Sequence, residues 1–203
     1  MIIVDIEASG TDPNKSSLLS VGAVDFDNSD NRFYEECKIF DGAHVEGAAL
    51  AVNGFTKKEI TDSLKKTDRE VVILFLDWLF KCKDWTLAGQ NTSFDRDFLM
   101  YTAYRYHINW PLAHRTIDLH SIAYYHMVKR GVLPPQKNNH SAVNLDTILK
   151  YCGIEVQRGK HNALEDALLE AEAFSRLFNE KPFIDEYAQY QIPWREKVDL
   201  VSP

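Results

Sequence analysis

Cysteine is scarce in this 203-residue chain: Cys37, Cys82 and Cys152 stand far apart with no CxxC pair, which excludes a disulfide framework and a zinc knuckle. A reducing compartment fits best. Positive charge is also in short supply. Lys and Arg number 23 against 30 Asp and Glu, a formal charge of −7 at pH 7, so no overall positive field draws a polyanion. No apolar run approaches the roughly 18–20 residues that span a bilayer. The opening MIIVDIEASG lacks a basic leader region and meets acids at Asp5 and Glu7. A soluble, cytoplasmic protein without a membrane partner is expected. Internal repeats and low-complexity stretches are absent as well. What is present, 45% apolar and 12% aromatic residues, suffices for a sizeable core in one domain.

Met1 to Glu7 reads as a short apolar strand ending in acids, followed by the turn-forming SGTDPN. Leu18–Phe26 and Arg32–Phe40 read as two further strands, joined by a polar DNSDN turn into an antiparallel hairpin. Helical spacing appears over Asp68–Lys83. WTLAGQ (85–90) is a short strand, Asn91 opens a helix with Phe94, Phe98 and Tyr101 on one face, and HRTIDL (114–119) is a strand before a helix ending near Lys129. GVLPPQKNNH (131–140) is a loop, since Pro134-Pro135 excludes helix. Helical spacing resumes over Val143–Tyr151, and Ala163–Phe178 carries a clear apolar stripe, with Asn162 and Glu165 patterned as a capping box. Strands first, then alternating helices and strands, predict an α/β fold: a mixed sheet flanked by helices over residues 1–180. Residues 181–203 form an extension that the pattern leaves unassigned.

Asp5 and Glu7 leave the same face of a strand with α-carbons about 6–7 Å apart. Such a pair is either hydrated at the surface or relieved by a raised pKa or a cation, and hard ions such as Mg²⁺ or Mn²⁺ prefer carboxylate oxygens. Asp95, near a helix start, either complements the helix dipole or belongs to a site. His161 lies in a loop, where a histidine is either solvated or available to take a proton near neutral pH. Asp166 follows in the first turn of the capped helix.

Taken in order, D-x-E, N-x-x-F-D and H-x-A-x-x-D resemble the DEDDh exonucleases, as VDIEASG (4–10), GQNTSFDRDFL (89–99) and HNALEDALLEAEAF (161–174). AVNGFTKKEI (51–60) and NLDTILKYCGI (144–154) look like the family's intervening stretches, so the resemblance spans about residues 1–178. It implies an RNase H-like fold and a metal-dependent 3′–5′ exonuclease acting on single-stranded nucleic acid, DNA slightly ahead of RNA, with release of nucleoside 5′-monophosphates. It further implies two Mg²⁺ or Mn²⁺ ions, with Asp5, Glu7 and Asp166 holding one, Asp5 bridging to the second and Asp95 completing the cluster. His161 would be the general base, and Ala8, Ser9, Gly10, Asn53, Phe55 and Asn91 would meet the substrate. Two departures stand out: many relatives have threonines where Ala8 and Ser9 stand, and a histidine at Gln90. The alternatives are an exoribonuclease trimming RNA or short oligoribonucleotides, and a polymerase-associated subunit that works through a protein partner.

Other polar residues carry less. His107, His114, His120 and His126 are spaced so that one helix would scatter them. Asp118 looks like a helix cap. Lys129, Arg130, Lys137, Arg158 and Lys160 form either a basic rim for phosphates or a solvated face. With so few cations, few phosphate contacts and a shallow salt dependence are expected.

Overall fold

The computed structural model describes residues 1–155 and 159–195. Two compact units emerge, Met1–Leu119 with Arg158–Ala171, and His120–Gln157 with Glu172–Pro203. The first is built on a six-stranded mixed sheet. Its strands are β1 (Ile2–Ala8), β2 (Leu18–Asp25), β3 (Asn28–Lys38), β4 (Lys66–Thr67), β5 (Leu87–Gly89) and β6 (Ile117–Asp118), in the order β4-β3-β2-β1-β5-β6. β1 pairs antiparallel with β2, and β2 with β3, while β4 runs parallel to β3, β5 parallel to β1 and β6 parallel to β5. β1 and β2 are covered on both faces, which is why they read as near-continuous apolar runs rather than alternating ones.

Between the strands of this unit lie α1 (Gly47–Asn53), α2 (Lys57–Ile60), α3 (Asp68–Leu79) and α4 (Thr92–Arg105). α3 begins at a reciprocal cap, Thr67 accepting from the Glu70 N–H and Glu70 accepting from that of Thr67. Val71, Val72, Phe75 and Leu79, all fully buried, form the face it gives to the core, where Phe75 meets Phe33 edge to face at 5.7 Å.

The hairpin differs from its sequence expectation. Asp25 pairs with Asn28, so only Phe26 and Asp27 make the turn, and the polar Asn28–Asn31 joins β3 through an irregularity in the register, Asn28 facing Asp25 and Arg32 facing Val24. α1 was not foreseen either.

The second unit contains α5 (Leu119–Lys129) from His120 on, the two-residue strands β7 (Gln136–Lys137) and β8 (His140–Ser141), and α6 (Leu145–Tyr151). The proline-rich stretch is thus not wholly loop: Asn138 and Asn139, at φ of 53° and 63°, close a tight hairpin of the kind asparagine tolerates. α7 (Ala163–Asn179) gives its first half to one unit and its remainder to the other. In the second unit, Glu172 and Arg176 are fully buried and paired at 2.6 Å. Arg176 donates to the carbonyls of Cys152, Tyr187 and Tyr190, and Glu172 accepts from the Phe183 and Ile184 N–H groups. Residues 183–190 are therefore held by a satisfied charge pair rather than by an apolar stripe. Residues 196–203 of the extension and Arg158 lie outside the described residues. No helix among those described is long and apolar enough to cross a membrane.

Candidate active site

β1 outruns its parallel neighbour. It pairs with β5 only at Ile2 and Ile3, so further along the strand the Ile6 N–H must find another acceptor, and it donates to Asp95 Oδ1 at 3.1 Å. This bond draws the buried Asp95, in the first turn of α4, under the strand end that carries Asp5 and Glu7. The α4 start is fixed by Asn91, in left-handed conformation at φ 60°, whose N–H donates to Asp118 Oδ2 at 2.8 Å. Asp118 thus ties the end of β6 to the residue that opens α4.

The third element is α7. Asp5 pairs with Gly22 and Glu7 with Ser20 across β2, so these side chains share one face. A Cβ at Gly22 would fall onto the Ala163–Leu164 peptide, so only glycine lets the first turn of α7 descend on that face. Asn162 caps the turn as expected, its Oδ1 accepting from the Leu164 and Glu165 N–H groups, both at 3.1 Å. Ligand atoms of Glu7, His161 and Asp166 consequently come within 4.8 Å of one another, and His161 Nδ1 lies 3.4 Å from Asp166 Oδ2.

The electrostatics follow from this crowding. Burial above all, then the negative charges of Asp95, Glu170, Glu7 and Asp166, hold the Asp5 carboxyl well above the ordinary carboxylate range. Burial pushes Asp95 up to about 8 against the opposing bond from the Ile6 N–H, with Glu7 and Asp118 adding smaller repulsions. A site that concentrates carboxylate oxygens at this cost in self-repulsion fits hard divalent cations, the species that relieve it. Asp5, Glu7 and Asp166 would hold them, with Asp95 beside.

A model of the exonuclease family RNase T matches residues 2–174. The chain belongs to this family. The exonuclease is 29% identical over 181 residues to the 3′-5′ DNA exonuclease Cap18 of Escherichia coli, a match covering 85% of this chain and 88% of that protein. Among solved structures, cell-death related nuclease 4 superposes with a TM-score of 0.68 at 18% identity, covering 90% of this chain and 64% of its own. E. coli Exonuclease I in complex with a dA16 oligonucleotide gives a TM-score of 0.68 at 20% identity, covering 87% and 40%. At these identities the structures show a shared fold, the RNase H-like α/β sheet, and the exonuclease spans only 64% and 40% of their lengths.

Three residues expected at the substrate are engaged within the exonuclease itself. Ser9 is fully buried: its Oγ donates to the His44 carbonyl and accepts from the Ser17 N–H, its own N–H donates to the Ser17 carbonyl, and its carbonyl accepts from Glu46. Asn53 is buried too, with Nδ2 on the Ala8 carbonyl and Oδ1 on the Phe55 N–H, a clamp between the ends of α1 and β1. Phe55 is half-buried under the Lys65 ammonium, 4.9 Å from the ring centre. Phe55 lines a cleft of about 210 Å³ together with Ser20, Tyr34, Asn53, Lys160 and His161. Ser20 Oγ, buried at its floor, has no hydrogen-bond partner among the described residues.

Glu170 was missed. It is 1% exposed, one turn beyond Asp166 on α7, and its Oε2 sits 2.8 Å from where a Cβ at Gly89 would be. In the sequence its signal is an acid four residues after Asp166, on the same face of one helix, where like charges repel.

Proposed function

We propose that this exonuclease removes nucleotides from the 3′ end of single-stranded nucleic acid, DNA ahead of RNA, releasing nucleoside 5′-monophosphates with two Mg²⁺ or Mn²⁺ ions. The observation that carries the reading is the convergence of Glu7, His161 and Asp166 within 4.8 Å beside Asp5. These groups, with Asp95, stand at all five positions the motifs name. The 3′–5′ polarity and the preference for DNA draw support from the likeness to Cap18, and the single-stranded substrate from the oligonucleotide held by Exonuclease I.

Divalent ions bound to four carboxylates would neutralise the phosphodiester and favour the attacking water and the leaving oxygen. The protein's own groups do the rest. Asp5, Glu7 and Asp166 fix where cations are held, since each comes from an element locked by backbone bonds or by close packing. Asp95, fastened to the Ile6 N–H, keeps the β1 end from relaxing away from its own crowd of charge. His161, half exposed in the loop before α7, is placed to take the proton of the attacking water and release it to solvent. The polar cleft beyond His161 receives the terminal residue, with Phe55 as an apolar wall and the main chain of Ala8 and Gly10 near the 3′ hydroxyl. An unpaired end enters such a cleft without the cost of melting.

The test uses 3′-labelled and 5′-labelled oligonucleotides of DNA and RNA with Mg²⁺ or Mn²⁺. Labelled mononucleotide should leave first from the 3′ end, faster from DNA, and Asp5→Ala or His161→Ala should abolish release. Internal cuts, or 5′ mononucleotides first, would overturn the proposal; faster trimming of RNA would shift it to an exoribonuclease.

A further inference from the structure

We propose that the exposed face of α5 and the adjoining β7–β8 hairpin bind single-stranded nucleic acid away from the reacting 3′ end. Bases would stack on Tyr124 and Tyr125, and phosphates would meet Lys129 and Lys137. The inference rests on the exonuclease reading for its ligand but on separate residues for its site. Residues 119–145 contain no Asp or Glu, although the chain as a whole carries −7. In that stretch stand Lys129, Arg130 and Lys137, with His120, His126 and His140. Acid-free stretches of this length are not demanded by folding, since a solvated helix face takes either sign; a surface that must meet an anion cannot.

The exposed residues are also of an unusual kind. Successive residues turn by about 100° on an α-helix, so Tyr124, Tyr125, Val128 and Lys129 occupy one arc of α5, while Ala123 and Met127 on the opposite arc are buried. Tyr125 is 65% exposed, Val128 54% and, just beyond the helix, Leu133 89%. The two tyrosines therefore do not serve the core. The Tyr124 ring lies 6.0 Å from that of His120, and His120 Nε2 is 2.8 Å from Ser141 Oγ, which joins the helix face to the hairpin that presents Lys137. Flat rings interleaved with cations suit a single strand, whose bases all offer a π face while its phosphates follow the charge. An apolar protein groove would want a rim of both signs, and no carboxylate in this stretch supplies one.

The experiment measures fluorescence anisotropy of 5′-fluorescein dT20 and dT3 on the full chain in EDTA, where nothing is cut. Alongside it, hydrolysis of the p-nitrophenyl ester of thymidine 5′-monophosphate with Mn²⁺ reports the catalytic centre alone. Wild type should bind dT20 more tightly than dT3. A Tyr124→Ser, Tyr125→Ser variant should bind dT20 about tenfold more weakly, with dT3 binding and ester hydrolysis unchanged, and Tyr124→Phe, Tyr125→Phe should retain wild-type affinity because stacking persists. Unchanged dT20 affinity in the serine variant would overturn the proposal, as would a dimer in light scattering that the serine variant dissolves without loss of DNA binding. A chain that binds dT20 through the tyrosines yet cleaves neither ester nor oligonucleotide would sink the exonuclease reading and leave the patch standing.

Discussion

Asp95 ends its folded life as an acid that resists ionisation, and the consequence is a pH dependence of unusual sign. Its carboxyl moves from an ordinary value of 3.8 to about 8 in the fold. Between these limits the native state binds more protons than the unfolded chain, so metal-free stability falls as pH rises from about 4 to about 8. Asp5, raised by the same burial and by four neighbouring carboxylates, adds to the slope. The melting temperature in EDTA should therefore decline across this window, and Mg²⁺ or Mn²⁺ should restore it most at the alkaline end, where protons no longer compete with the cation. A flat or rising profile would contradict the burial argument. Glu170 gives a second test at this scale. Glu170→Gln keeps the shape of the side chain but removes one negative charge facing Asp5, so the metal-free protein should melt higher while Mn²⁺ affinity, read by titration calorimetry, falls several-fold. Equal affinity in the variant would show that Glu170 serves packing alone.

At the scale of elements, the site depends on how closely α7 approaches β2, and Gly22 sets that distance. Gly22→Ala places a methyl group against the Ala163–Leu164 peptide, which must then move. Overpacking of this kind costs about 1–3 kcal/mol. Because the displaced turn carries Asp166 beside His161, 3′-end hydrolysis should fall far more than stability, by at least about a hundredfold, with the protein still folded by circular dichroism. Gly22 also shows where sequence reading stops. β1 and β2 were legible as short, near-continuous apolar runs between turn residues, α7 through the 3.6-residue period that burial imposes on one face, and the acids through the order of their motifs. α1 has few large side chains to bury, with only Asn53 buried in it, so no stripe announced it. Asn53 and Ser9 also have partners that their residue types do not announce, since their polar atoms answer backbone groups that only the fold brings near. The stretch after α7 lacked a period for a similar reason: its anchor is the buried Glu172–Arg176 pair, whose partners are main-chain atoms and leave no trace in residue type.

For the whole molecule, the governing quantity is how an acidic chain holds a polyanion. On the proposed reading, two divalent ions in the carboxylate cluster would raise the formal charge of −7 by four to −3, and the catalytic centre would meet phosphate through cations that the protein does not supply itself. Long-range attraction is correspondingly weak, and grip must come from local contacts. The proposed face offers two, Lys129 and Lys137, because Arg130 lies over the Trp194 ring, 5.9 Å from its centre. Each phosphate neutralised on a single strand contributes about −0.7 to the slope of log affinity against log salt. Binding of dT20 in EDTA should therefore show a slope of about −1.4, shallow beside that of a protein with a continuous basic track, and Lys129→Gln with Lys137→Gln should bring it close to zero. Stacking on Tyr124 and Tyr125 is neutral, so their substitution should lower affinity by the same factor at every salt concentration and leave the slope alone. A wild-type slope of about −5 or steeper would mean that cations elsewhere on the surface carry the strand, and the acidity of the chain would then have to be offset by a track these residues do not form.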